Sequence, residues 1–487
     1  MRHLFRPVRL DRPTQGSMAR RGLLSMTGVA TQGAVRFLTN VLVGRLGGPA
    51  VLGNVASAIS TAQLLALLWP TTTGSAASKF IARARGKTDS DEGAAVASHL
   101  ARRTIQAALF LAAVATPIWV LLDGGRVIDG AIVALLVVAY SGYSFTRGIL
   151  FGSGQVARAT AWDLMTGFLG LVGITVSLIA GVRGLAVLIP LAAAYCVYTL
   201  AGWPWGARGR PVASLRRELD QFVMLGVVGT LASAGFLQLS MIVARLSDGA
   251  ANAGQYAAAM SLATPPSMLV GSLSLVLFPS MSEAWARNDL EAFRRQVDKA
   301  TRMLIVVMVA VFGILVLSSE LLVSVVWGEQ YAQAADLVPI LLTAVLATTL
   351  AVPSVSSLTS RTQRGMVTAT VIGLVGMAIG VGIWAVLAPH LGVTGVAVGY
   401  LVGTLTIAGS TVTVSWRRDK QRWKGLIFRL GCGVAAFEGL LVAQREIGLP
   451  QAYDLAFVAL FLCAWILLMR SDIRRLDLVG LVRGRRR

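Results

Sequence analysis

The chain has 487 residues, of which 55% are apolar and only 14% charged, with a mean hydropathy of +0.70. A soluble domain carries about 25% charged residues, so this composition excludes one and places most of the length in a bilayer. The net charge of +21 alternates in position along the chain in a way that separates it from nucleic-acid binding, and three cysteines and three histidines are too scattered for a disulfide framework or a metal cluster.

In chain order, the first 22 residues form a basic arm with Arg2, Arg6, Arg9, Arg12, Arg20 and Arg21. The arm lacks an apolar h-region, so it does not read as a cleavable signal peptide. About fourteen apolar spans follow, from near 23–44 to near 452–469. The predicted fold class is an all-α polytopic membrane protein with about 14 transmembrane helices. Basic residues crowd 79–103, 208–217, 287–302, 417–424 and the tail to Arg487, whereas the alternate turns offer little beyond Arg45, Arg126, Arg183, Arg245 and Arg445. By the positive-inside rule both termini are expected in the cytoplasm.

The first span holds Gln32, Arg36 and Asn40 at i, i+4 and i+8, a polar stripe on one helix face. An arginine near mid-bilayer costs at least about 2.5–3.5 kcal/mol, so Arg36 should face protein or water. Guanidinium flanked by amides suits an anionic group such as a phosphate. In the second span Pro70 is a candidate hinge and Lys79 a candidate anion contact near the cytoplasmic end. Tyr140, Tyr143, Ser144 and Arg147 share a face of the fourth span, with Arg147 at a depth matching Lys79. Asp163, near the start of the fifth, is a candidate for H⁺ or Na⁺ coupling, or else a partner of Arg147 or Arg158.

The second half repeats the first. Leu42-Val43-Gly44-Arg45-Leu46, running on to Gly53, Ala56 and Ala58, returns as Ile242-Val243-Ala244-Arg245-Leu246, running on to Gly254, Ala257 and Ala259. Gly181-Val182-Arg183-Gly184-Leu185-Ala186-Val187 returns as Gly392-Val393-Thr394-Gly395-Val396-Ala397-Val398. An even number of spans per copy makes these parallel repeats. The expected organisation is therefore a basic arm (1–22), an N-lobe of spans 1–6 (23–206), a linker (207–220), a C-lobe of spans 7–12 (221–416), spans 13–14 (417–470) and a basic tail (471–487). The position matching Arg36 is Phe236, so an anion site would be built mainly by the first half. Pro265, Pro266 and Pro353 are the candidate hinges of the second half. Residues 282–299, with Leu290, Phe293 and Val297 at i, i+3 and i+7, read as an interfacial amphipathic helix, and the tail as a second inner-leaflet segment. Trp327 and Tyr331 suit an aromatic belt. The external connections are all short, which disfavours a membrane glycosyltransferase and any enzyme needing a catalytic domain.

Two six-span halves plus two C-terminal spans, Gly44-Arg45-Leu46-Gly47 with Gly53, the Trp327-Gly328-Glu329-Gln330-Tyr331 turn and Gly392-Val393-Thr394-Gly395-Val396-Ala397 together resemble the multidrug/oligosaccharidyl-lipid/polysaccharide exporter superfamily. Within it the chain is most similar to Wzx-type polysaccharide flippases of the O-antigen and teichoic acid kind. The resemblance implies alternating-access translocation of an undecaprenyl-pyrophosphate-linked oligosaccharide from the inner to the outer leaflet of a bacterial cytoplasmic membrane. A basic central cavity would hold the headgroup, with Arg36 as the best match to a cavity arginine and Gln32 and Asn40 beside it. It implies no cofactor and no nucleic acid, leaves H⁺ or Na⁺ coupling open, and makes polysaccharide polymerase and glycosyltransferases further candidate partners. A MurJ-like lipid II flippase has the same plan and stays open. A multidrug exporter should stop at twelve spans and prefer cations, which Arg36 disfavours.

Overall fold

The computed structural model describes residues 18–123, 126–182, 184–267, 281, 284–285, 287–447 and 454–476. Every regular element among them is helical. Contacts divide the chain into two compact units, Met1–Ala257 and Ala258–Arg487.

The first unit contains α1 (Met18–Leu67), α2 (Pro70–Gly86), α3 (Ser90–Asp123), α4 (Val127–Gly152), α5 (Val156–Ile179), α6 (Ile189–Gly202), α7 (Ala213–Thr230) and most of α8 (Phe236–Leu262). Its largest core joins Phe80 of α2, Leu100 of α3, Phe145 and Ile149 of α4, and Leu215, Leu219 and Val223 of α7. The seventh span thus packs with the first six. Contact divides the chain near residue 257, whereas the sequence repeat divides it at 207–220.

The second unit contains α9 (Leu290–Leu317), the short α10 (Ser319–Val326), α11 (Ala332–Arg361), α12 (Gln363–Asp419), α13 (Lys424–Ile447) and α14 (Asp454–Leu476). Helices α13 and α14 are held to α9 by polar contacts in an apolar setting. Arg302 of α9 reaches Asp472 of α14 at 2.5 Å, and Arg429 of α13 donates to the same carboxylate at 2.6 Å. Trp465 donates to the carbonyl of Val306 at 3.0 Å. At the other end Gln444 donates to Asp454 at 2.5 Å.

Eleven stretches of the described chain are long and apolar enough to cross a membrane. Three of them, Ala30–Leu67, Ala213–Ser267 and Arg364–Asp419, have about twice the length of one crossing or more, since about 20 residues span the hydrocarbon. Each contains a sharp corner at a glycine: Gly48 (φ 83°), Gly249 (φ 77°) and Gly392 (φ 54°). Counted as two spans apiece, these three bring the total to the fourteen that the sequence predicts. Beyond Gly392 the chain returns along itself, and Trp384 donates across the hairpin to the carbonyl of Val396 at 2.8 Å. Positive φ with extended ψ is essentially a glycine conformation, costing about 1–3 kcal/mol for other residues.

Gly48 and Gly249 occupy equivalent places in the repeat, and so do Gly181 (φ 77°) and Gly392. The repeated sequence therefore encodes a repeated corner. The first two corners also pack on each other reciprocally. A Cβ on Gly53 would strike the carbonyl oxygen of Ala250, and one on Gly254 would strike that of Pro49. Arg245 donates from Nε to Oδ1 of Asn54 at 3.1 Å across the same contact. Bare glycines let two backbones approach where side chains would hold them apart.

The candidate hinges differ among themselves. The helix breaks at Leu68 and Trp69, and Pro70 starts α2 at its first position, where its missing N–H costs nothing. Pro265 and Pro266 follow a turn at Ala263. Pro353 lies inside α11, which continues unbroken to Arg361.

Two expectations are corrected. Leu290 to Lys299 is the start of α9, capped by Asp289, rather than a separate interfacial helix. Phe293 and Val297 are fully buried in protein, with the Arg361 guanidinium 4.2 Å above the Phe293 ring. Trp327 and Tyr331 are also fully buried and lie ring to ring at 5.3 Å, so they pack inside the unit instead of forming a belt. Ser282, Glu283, Ala286 and the tail from Asp477 lie outside the described residues.

Replacing Gly254 by Val should overpack the corner and cost about 1–3 kcal/mol or more, lowering the melting temperature of the purified protein and its yield in membranes. Asp472→Ala removes the carboxylate of Arg429 and leaves Arg302 with Asp298 alone, and a loss of about 3–5 kcal/mol is expected, read as a lower melting temperature in detergent.

Candidate functional site

Arg36 stands twelve residues before the Gly48 corner, about 18 Å along the helix at 1.5 Å per residue. That is past the middle of a hydrocarbon core about 30 Å thick. The side chain is half-buried, and among the described residues it makes no hydrogen bond or ion pair. The groups with which it interacts electrostatically are the phenols Tyr140 of α4 and Tyr195 of α6. A recess beside those phenols is walled by Ile59, Leu136 and Leu191 and edged by Gln63. An unpaired cation at this depth is stable only if water or an anion reaches it.

Next to Arg36 lies a second polar group that is closed on itself. Asp163 of α5 is buried and receives Tyr143 Oη at 2.8 Å on one oxygen and Arg147 Nε at 3.1 Å on the other. Gln32 of α1 donates to the same Tyr143 hydroxyl. Arg147 also lies over the Phe151 ring at 4.7 Å. Gly28 of α1 faces this pair, with space for a Cβ limited by Asp163, Thr160 and Arg147. Arg158 is not a partner of Asp163; it donates to Gln155 at 3.0 Å and to the carbonyl of Ala201 at 2.7 Å.

The residues predicted from sequence are thus distributed over several settings. Arg36 interacts with the phenols Tyr140 and Tyr195. Gln32, Arg147 and Asp163 belong to one buried network joining α1, α4 and α5. Asn40 is buried at 8% exposure. Lys79 is exposed, with its ammonium 4.3 Å from the Phe222 ring centre and 5.2 Å from that of Phe80. Phe236, the counterpart of Arg36, is 1% exposed within the first unit, and Gln238 beside it is buried with Oε1 unpartnered.

The sequence reading missed Tyr195 and Gln63. A signal was present, because Tyr195 and Tyr198 in the sixth span repeat the i, i+3 spacing of Tyr140 and Tyr143 in the fourth. The four rings form one cluster: Tyr143 lies 4.8 Å from Tyr195 and 4.7 Å from Tyr198, and Tyr140 lies 5.7 Å from Tyr195.

Chemically the site places a guanidinium without an ion pair among the described residues beside two phenols. Such a set binds an anion carrying further hydrogen-bonding groups. Among the described residues it holds no nucleophile activated by an adjacent base and no cluster of metal ligands.

Known proteins share the family and the fold of this chain. A family model described as Lipid II flippase MurJ matches residues 161–473, and one described as Polysaccharide biosynthesis protein matches residues 19–285. Among solved structures, a lipid II flippase MurJ in an inward closed conformation aligns with a TM-score of 0.68 at 12% identity, covering 93% of this chain and 99% of that one. An inward-facing multidrug resistance MATE family transporter aligns with a TM-score of 0.62 at 15% identity, covering 82% and 98%. An outward-facing MATE transporter gives 0.55 at 15% identity, covering 86% and 97%. The search of curated proteins found no match. These structures share the fold, and each of the two family models covers more than half of the chain: the protein belongs to the membrane protein families that they describe, Lipid II flippase MurJ and Polysaccharide biosynthesis protein.

Proposed function

We propose that the protein carries a polyprenyl-pyrophosphate-linked oligosaccharide, with undecaprenyl as the lipid, from the inner to the outer leaflet of a bacterial cytoplasmic membrane for cell-surface polysaccharide synthesis. The observation that carries this reading is Arg36, a cation within the first span that makes no hydrogen bond or ion pair among the described residues. A pyrophosphate offers the compensating charge that the protein withholds, and arginine can meet it with two parallel hydrogen bonds. The polysaccharide biosynthesis match over the same first unit supports the substrate class. In this reading the termini lie in the cytoplasm, the protein acts as a carrier and not an enzyme, and glycosyltransferases and a polymerase supply and consume its cargo.

A second reading has its own support. The lipid II flippase match covers residues 161–473, and the MurJ structure aligns over 93% of the chain. Lipid II is also a polyprenyl-pyrophosphate-linked sugar, so Arg36 would serve it equally. Complementation separates the two: rescue of a strain lacking its lipid II flippase favours the second reading, and rescue of a polysaccharide flippase mutant alone favours the first.

Asp163 fits a coupling role only through its partners. Taking up a proton would remove the charge that holds the Arg147 guanidinium and weaken, without breaking, the Tyr143 hydrogen bond, and through Tyr143 would loosen Gln32 one turn from Arg36. Coupling by H⁺ or Na⁺ is therefore part of the proposal.

Arg36→Ala should reduce translocation of a lipid-linked glycan in proteoliposomes at least tenfold while the protein stays folded, and Arg36→Lys should restore only part of it. Unchanged flipping by Arg36→Ala overturns the assignment. Asp163→Asn keeps the Tyr143 hydrogen bond and removes the charge. Transport by that variant should no longer respond to an imposed pH or Na⁺ gradient, and a retained response excludes Asp163 as the coupling group.

A further inference from the structure

The pair of helices at the C-terminal end of the chain carries a carboxylate well inside a span. Glu438 of α13 stands nine residues after Arg429 and six before Gln444, about 14 and 9 Å along the helix at 1.5 Å per residue. Between those two residues, 430–443 are otherwise apolar apart from the Cys432 thiol. Glu438 is half-buried, at the edge of an exposed stripe through Phe428, Gly431, Ala435, Gly439 and Val442. That stripe presents no polar side chain, as a surface against hydrocarbon requires. One carboxylate oxygen accepts from the Thr343 hydroxyl of α11 at 2.9 Å. Among the described residues Glu438 has no ion pair and no second hydrogen bond.

The packed neighbours supply no countercharge at this depth. The facing stretches, 303–317 of α9, 337–360 of α11 and 455–469 of α14, contain no Asp, Glu, Lys, Arg, His or Tyr, and their one titratable side chain is Cys463, which is exposed. At the inner ends Arg302, Arg361 and Arg429 are held by Asp298, Asp419 and Asp472. The charge that acts on Glu438 through space is Arg445, two turns further out on α13. That guanidinium is engaged elsewhere, with Asp336 at 3.1 Å, Glu320 at 3.9 Å and the carbonyl of Ala335 at 3.2 Å. Asp454 at the same end takes its hydrogen bond from Gln444.

An ionised carboxylate on an apolar face inside a span costs several kcal/mol unless a cation meets it. A metal ion takes several oxygen ligands together, and the one oxygen that the structure places at the carboxylate is that of Thr343. A proton needs a single lone pair. The Thr343 hydroxyl then donates to the carbonyl oxygen of a neutral acid.

We propose that Glu438 is a proton-binding site. Its carboxyl is neutral and docked on Thr343 while this face of α13 lies in hydrocarbon, and it gives up the proton when water reaches the same face. Spans 13 and 14 have no counterpart in the sequence repeat, so this protonation step is one that the duplicated part of the chain does not supply. It is separate from Asp163 and requires no particular cargo.

The full-length protein in proteoliposomes is treated at about pH 8 with dicyclohexylcarbodiimide, an apolar reagent that adds whole to a protonated carboxyl, and the modified residues are located by mass spectrometry. An ordinary glutamate, with a reference pKa of about 4.3, is ionised at that pH. Glu438 should be modified at least tenfold faster than the exposed Glu329, and Glu438→Gln should lose that adduct alone. Modification of Glu438 no faster than that of Glu329 overturns the site. So does a rate that falls when Na⁺ replaces K⁺ at constant pH, which assigns a metal cation in place of the proton.

Discussion

A peptide group without a hydrogen-bond partner in hydrocarbon costs several kcal/mol, and that constraint shapes the whole molecule. It requires the chain to remain helical from one face of the membrane to the other. It also requires each reversal to be made quickly. Gly48, Gly249 and Gly392 each make a sharp corner within a single residue, using backbone torsions closed to other side chains. The helices on either side can then pack along their length, and polar side chains need appear only where packing or chemistry uses them.

Buried charge is handled in two ways. Asp163 with Arg147, Asp419 with Arg361, and Asp472 with Arg302 and Arg429 are each neutralised within the protein. Such pairs contribute little net stability against an apolar alternative, but losing one partner is severe, so they fix which helices lie side by side. Arg36 follows the opposite rule. Its neighbours are neutral phenols, and among the described residues no carboxylate pairs with the guanidinium. The contrast between satisfied and unsatisfied arginines distinguishes structure from site more clearly than depth in the membrane does.

Much of this is legible in the sequence. Apolar runs of span length locate the helices, and the paired glycine and arginine turns locate the corners, because hydrocarbon leaves few other ways to place such residues. What periodicity cannot say is which neighbour covers an apolar face. It therefore assigns Phe293, Val297, Trp327 and Tyr331 to lipid or its interface, while protein covers them all. Helical spacing likewise puts Gln32, Arg36 and Asn40 on one stripe, but side-chain direction separates Gln32 toward Tyr143 from Arg36 toward Tyr140 and Tyr195. Gln63 escapes a sequence reading because an uncharged residue in a span looks no different from packing until its neighbours are known.

The reciprocal contact of Gly53 with Ala250 and Gly254 with Pro49 has a consequence for how such a chain can diverge after duplication. Each copy's corner is the floor on which the other rests, so a side chain gained at either glycine harms both copies at once. Neither corner can drift alone. The interiors of the spans carry no such mutual obligation, and there one copy holds Arg36 and the other Phe236. Symmetry at the corners thus leaves the interior free to become asymmetric, and a duplicated scaffold can acquire a single site without losing the fit between its halves.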